Sequence, residues 1–103
     1  MEGHAVISSD ILARYAADAA TAVTGVRGLV PSALHRHKGV RVVDDGRLRV
    51  ELHLAVEWGA SIPELGREVQ ARVREYLGSM ANAPSVAVEI IVDEVGPPPP
   101  HAA

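Results

Sequence analysis

From Arg47 to Trp58 the side chains alternate without a break. Leu48, Val50, Leu52, Leu54, Val56 and Trp58 take the even positions, and Arg47, Arg49, Glu51, His53, Ala55 and Glu57 the odd ones. Successive side chains of a strand point to opposite faces, so this spacing predicts a strand with one buried and one open face. Antiparallel sheets tolerate such an open face. The chain is 103 residues long, which suits one domain with a modest core. It has no Phe, one Trp and two Tyr, so that core must be built from Val, Leu, Ile and Ala.

The neighbouring segments follow from the same strand. Val40–Val43 precedes it across Asp44-Asp45-Gly46, a hairpin signal. A two-residue turn at Asp45-Gly46 would put Arg41 on the buried face. A three-residue loop over residues 44–46 keeps Val40 and Val42 with the apolar set and gives Gly46 the left-handed bulge position. It pairs Val42 with Leu48, Val40 with Val50 and Arg41 with Arg49. After the strand, Gly59 supplies a flexible exit. Ser61-Ile62-Pro63-Glu64 reads as a capping box, with Pro63 in the first turn where a missing N–H breaks no helix bond. Ile62, Leu65, Val69, Val73, Tyr76, Leu77 and Met80 then recur at helical spacing, with Gly78 as the expected stop. Gly66 lies inside this helix, at a cost of about 1 kcal/mol relative to Ala.

Upstream, Ala5–Ser8 suggests a short edge strand and Ser9 an N-cap. Ile11, Leu12, Tyr15, Ala16, Ala19, Ala20 and Val23 form an apolar stripe on a first helix that Gly25 should close. A short strand and a loop are expected over residues 26–38. Downstream, residues 85–95 predict a last strand. Val86, Val88, Ile90 and Val92 would face the core, and Ile91 and Val95 would be apolar on the other face. The expected fold is α+β, with two helices packed on one face of a small mixed or antiparallel sheet of three to five strands. The domain should occupy residues 1–95, followed by a stiff Pro-rich tail over 96–103.

Functional signals are fewer. There are no cysteines, which removes disulfides, thiol nucleophiles and Cys-ligated metals. No run approaches the ~18 apolar residues of a membrane span, and the N-terminus does not resemble a secretion signal. The net charge of −3 conceals a division, because residues 27–49 carry six basic side chains against two acidic ones. His35 and His37 share that segment without a third metal ligand nearby, so solvated loop histidines are the preferred reading. Gly25-Val26-Arg27-Gly28 spells the GxxG that clamps nucleic-acid backbone in KH domains, but a helix C-cap explains Gly25 more simply. The serines have no placed His partner and the carboxylates form no convincing acid–base pair, so no catalytic residue, cofactor or metal is expected. Arg41, Arg47 and Arg49 on the open face are candidates for an acidic partner or anionic lipid, and Ile91 and Val95 for an apolar contact.

Three stretches together resemble the alkaline shock protein family of bacterial envelope stress proteins. They are "GHAVISSDILARYAADAATAVTGVRGL", "GVRVVDDGRLRVELHLAVEWGASIPELGREVQARVREYL" and "SVAVEIIVDEV". The resemblance rests on order and spacing: Gly25-Val26 after the first helix, Trp58-Gly59 after the hairpin, then Ile62 and Val69-Gln70. The family usually has Tyr where Trp58 stands. It implies a small cytoplasmic α+β domain linked to envelope homeostasis, peripheral at the inner face of the membrane. A protein partner is implied, including a small integral-membrane protein, as is self-association into a homo-oligomer. The resemblance brings no catalytic residues. The alternative reading is a KH-like RNA-binding module using Gly25–Gly28 and the basic 27–49 segment.

Overall fold

The computed structural model describes residues 7–31, 39–44, 46–82 and 85–97. The elements, in chain order, are helix α1 (Ser9–Thr21), strands β1 (Val26–Leu29), β2 (Val40–Asp44) and β3 (Leu48–Val56), helix α2 (Ile62–Ala81) and strand β4 (Val86–Val95). β3 is the centre of a mixed four-stranded sheet. β4 runs parallel to it along one edge, while β1 and β2 run antiparallel along the other. Both helices cover a single face: α1 lies over β1, β2 and β3, α2 lies over β4, and the two pack on each other.

The alternation in β3 holds through Val56. Val50, Leu52, Leu54 and Val56 are completely buried under the helices, and the odd positions between them lie on the uncovered face. Trp58 departs from the expected inward series and is 58% exposed. The ladder ends at Val56, the chain turns with Ala60 N–H donating to the Glu57 carbonyl, and the parity of a strand has no meaning beyond its last paired residue.

β1 and β2 share one edge of β3 end to end. β1 pairs with residues 54–56 and β2 with residues 48–52. At the junction, Val30 N–H donates to the His53 carbonyl (2.8 Å) and His53 N–H donates to the Gly39 carbonyl (2.9 Å). Val30 and Gly39 thus meet on the main chain of the same β3 residue. Gly39 has φ +96°, and a Cβ there would stand 2.7 Å from the Val30 carbonyl oxygen, so only glycine fits there.

The hairpin register differs from the expected one by two residues. Val42 pairs with Val50, Val40 with Leu52 and Arg41 with Glu51, leaving residues 45–47 as the loop. The loop still has three residues, and Gly46 takes a positive φ of +101°. A two-residue slip preserves the face of every side chain, so burial alone could not select between the registers. The observed one sets Arg41 against a carboxylate rather than against Arg49.

The helix stripes are shifted at their ends. In α2, Leu65, Val69, Val73 and Leu77 are buried, whereas Ile62 and Met80 are exposed. Gly78 does not stop the helix, which runs to Ala81 and closes on Asn82 in the left-handed conformation. Ser61 precedes α2 without a side-chain cap bond, so the capping box is not formed, although Pro63 does sit in the first turn. In α1 the cap is Ser8 rather than Ser9, with its Oγ accepting from Ile11 N–H, and the helix ends at Ala22 before Gly25. Ala13 is buried and Ile11 is exposed, because α1 is enclosed by both the sheet and α2. Ile7 and Ser8 belong to no strand. The rest of the expected Ala5–Ser8 strand, His35, Arg36, His37, Lys38 and residues 98–103 of the Pro-rich tail lie outside the described residues.

Replacement of Leu52 by Ala should destabilise the fold by about 2–5 kcal/mol, because the site is sealed on every side. Trp58→Ala should cost far less. Denaturant unfolding followed by circular dichroism checks both.

Candidate functional site

The face of the sheet away from the helices is assembled from alternate residues of all four strands. Across β2, β3 and β4 the register makes one row of Arg41, Glu51 and Glu89 and a second of Val43, Arg49 and Ala87. A third row pairs His53 with Ile91. Nearer the end of β3, Ala55 has Gly28 on one side and Glu94 on the other.

A polar chain crosses this face. His53 Nδ1 lies 2.6 Å from Asp93 Oδ2, and its Nε2 lies 2.7 Å from Glu51 Oε1. Glu51 Oε2 in turn lies 3.9 Å from Arg41 Nη1. Neutral imidazole has one N–H, so only the imidazolium donates to both carboxylates at once. Desolvation by burial lowers the pKa of His53. Hydrogen bonds to Glu51 and Asp93, and attraction to both charges, outweigh that and hold it above the ordinary 6.5. Glu51 and Glu89 stand opposite one another, a like-charge pair that His53 and Arg41 offset from the Glu51 side.

The sequence could have revealed half of this cluster, since Glu51 and His53 sit two apart on a strongly alternating strand. Asp93 could not be found that way. It is 40 residues away from His53 and reaches it only because β4 lies parallel to β3 and bulges at that point. The register shifts between Leu54 and Ala55, so Val92 pairs with Leu54 but Glu94 pairs with Ala55.

The same bulge moves Val95. It pairs with Val56 and therefore points to the helix side, not to the face that carries Ile91, and it remains 46% exposed past the helices. Of the other candidate contacts, Ile91 is half-buried beside His53, Arg41 and Arg49 are exposed on the open face, and Arg47 is exposed in the hairpin loop. The expected Arg41–Arg49 opposition does not occur. The Gly25–Gly28 loop does not lie between two helices as the KH reading requires. Gly25 turns the chain into β1, and Gly28 is a residue of that strand opposite Ala55.

The face is shallow. Arg41, Val43, Arg49, Glu51 and Glu89 surround a notch of about 40 Å³, and His53 does not line it. The two carboxylates of the cluster bind opposite ring nitrogens and cannot converge on one ion. Among the described residues no group of three His, Cys, Asp or Glu side chains could hold a metal. No helix among them is long and apolar enough to cross a membrane.

A family model for the alkaline shock protein (ASP23) family, of cell envelope-related function, matches residues 1–97. The chain belongs to this family. Its fold is also similar to solved structures of a domain called MamM CTD. A variant of that domain in a cadmium form is 20% identical, with a TM-score of 0.60 over 84% of this chain and 98% of that one. A second variant is 22% identical, with a TM-score of 0.57 over 84% and 100% of the two chains. A nickel form is 23% identical, with a TM-score of 0.54 over 82% and 98%. At these identities the likeness concerns the fold alone. No curated protein sequence matches the chain. Membership of the alkaline shock family gives the protein a cell envelope-related role and bears out the family resemblance read from the sequence.

The His53 cluster makes a pH-dependent contribution to stability. Because the folded pKa is raised, this contribution is complete below the unfolded value near 6.5 and is lost as pH rises through the folded value. Denaturation midpoints should therefore fall with rising pH above that point. His53→Gln, which cannot ionise, should remove this component of the slope in a pH series of denaturant titrations.

Proposed function

We propose that the protein is a non-enzymatic interaction module of the cell envelope, which binds partners through the uncovered side of its sheet. The observation that supports this reading is the one-sided fold. Both helices cover the same face, and the other presents charged and small apolar side chains on a shallow surface rather than a nucleophile in a closed pocket. Clefts that bind small molecules are concave and largely apolar, whereas this face offers area and charge.

Within that reading, Arg41, Arg47 and Arg49 form the electropositive end that meets an acidic protein surface or anionic headgroups. Ile91 supplies apolar contact on the same face, and Val95 does so at the exposed end of β4. The protein acts as a scaffold in the envelope stress response, peripheral at the inner side of the membrane. A small integral-membrane protein recruits it, and copies of the chain associate with each other. Cell envelope-related function in the family supports the setting.

Charge reversal tests the electropositive end. The Arg41→Glu, Arg47→Glu, Arg49→Glu triple variant should lose at least about a hundredfold in affinity for anionic surfaces at low salt, at about 1 kcal/mol per basic residue near such a surface. Recovery in the membrane fraction, with and without detergent, should fall in parallel, and circular dichroism confirms folding. Because Arg41 also faces Glu51, Arg47→Glu alone serves as the structurally silent comparison. Full membrane recovery and partner capture by the triple variant would remove these arginines from the proposal.

A further inference from the structure

Among the described residues β4 is an edge strand, and α2 guards only part of it. Main-chain groups of alternate residues of a strand point away from its neighbour. On β4 these outward residues are Val86, Val88, Ile90 and Val92. The first two carbonyls are occupied, since Arg74 Nε donates to Val86 O (3.2 Å) and Gln70 Nε2 donates to Val88 O (3.0 Å). The spacing is a matched pair of ladders. Four helical residues advance about 6 Å and two strand residues about 6.6 Å, so each turn of α2 meets the next outward carbonyl.

One step further along both ladders, the same spacing brings Gly66 level with Ile90. It has no side chain to donate, and a Cβ built there meets nothing within 4 Å. Tight helix packing therefore does not explain the glycine. By the same spacing one more step brings Ile62 level with Val92, and Ile62 is 43% exposed. Among the described residues, no hydrogen bond caps the outward main-chain groups of Ile90 or Val92. The bulge after Val92 ends the stretch.

We infer that β4 between Glu89 and Asp93 is an acceptor edge for an extended peptide segment that alternates apolar and basic side chains. An added strand would satisfy the N–H and C=O groups of Ile90 and Val92, as in other cases of recognition by strand addition. Its side chains on the helix side would fill the opening over Gly66 beside Ile62. Those on the open face would meet the exposed Glu89 and Glu94, with Asp93 between them. That asymmetry defines the partner. Like-charge repulsion opposes a second copy of β4, because it would set Glu89, Asp93 and Glu94 against the same acids. The inference deepens the interaction reading above by naming one partner's chemistry. Arg41 and Arg49 share the shallow notch with Glu89, but the main-chain groups of Ile90 and Val92 play no part in the arginine reading, so the exchange experiment separates failure of one proposal from failure of the other.

Amide hydrogen exchange by NMR on the full chain tests it, with a short synthetic peptide alternating Lys and Val as the probe and its Glu-Val counterpart as the control. The Lys-Val peptide should slow exchange at Ile90 and Val92 by about tenfold or more, and leave Ala87 and Glu89, whose groups face β3, unchanged. Gly66→Gln restores the missing cap. It should raise the melting temperature and abolish the slowing. Gly66→Ala should raise the melting temperature and keep it, since a methyl group reaches no carbonyl. Unchanged exchange at Ile90 and Val92, equal slowing by the Glu-Val peptide, or slowing that survives Gly66→Gln would overturn the proposal. Slowing that follows protein concentration without peptide would also do so, by making a second copy the occupant.

Discussion

The burial of alternate side chains of β3 is the constraint on which the rest of the structure depends. Among the described residues β3 is the one strand paired along both edges, and Val50, Leu52, Leu54 and Val56 are sealed at the centre of the core that the helices close. Each such side chain contributes about 1.5–3 kcal/mol when removed from water, so a slip of one residue would forfeit most of the core and bury charge in its place. Every other element is positioned against this strand. β1 and β2 divide one edge, β4 takes the other, and the helices close a single face.

The one-sided cover that makes the core also makes the surface. The parity that sends Leu52 and Leu54 inward leaves Glu51 and His53 outward, where β4 brings Asp93 to the ring. His53 is therefore a structural knot twice over. Its main chain joins the end of β1 to the start of β2, and its side chain joins β3 to the bulge of β4. Bulges re-aim side chains and interrupt pairing. This one does both, since it places Asp93 beside the imidazole and turns Val95 to the opposite face.

Edges impose a different constraint. A parallel edge strand exposes alternate carbonyls and amides, and proteins usually blunt such edges with charges, bulges or covering elements. Here α2 covers the first half through Gln70 and Arg74, and the residue next in that spacing is Gly66, which has no side chain to donate. A glycine that weakens a helix by its conformational entropy is otherwise difficult to account for at a position with open space around it. Membership of the family sets this face and this edge in a protein of cell envelope-related role.

The sequence by itself determined what is periodic and local. Two helices, the hairpin, the strand at residues 86–95 and the inward parity of Leu48–Val56 follow from spacings of two and about 3.6 residues, which each segment carries within itself. So does the family, through the order of its segments. Only the tertiary structure decided the register of Arg41 against Glu51, because a shift of two residues changes the partner without changing the face. It also decided that β1 and β2 share an edge, that Trp58 leaves the core, and that Asp93 meets His53. These depend on which distant segments lie side by side, and side-chain alternation within a strand holds no record of its neighbours.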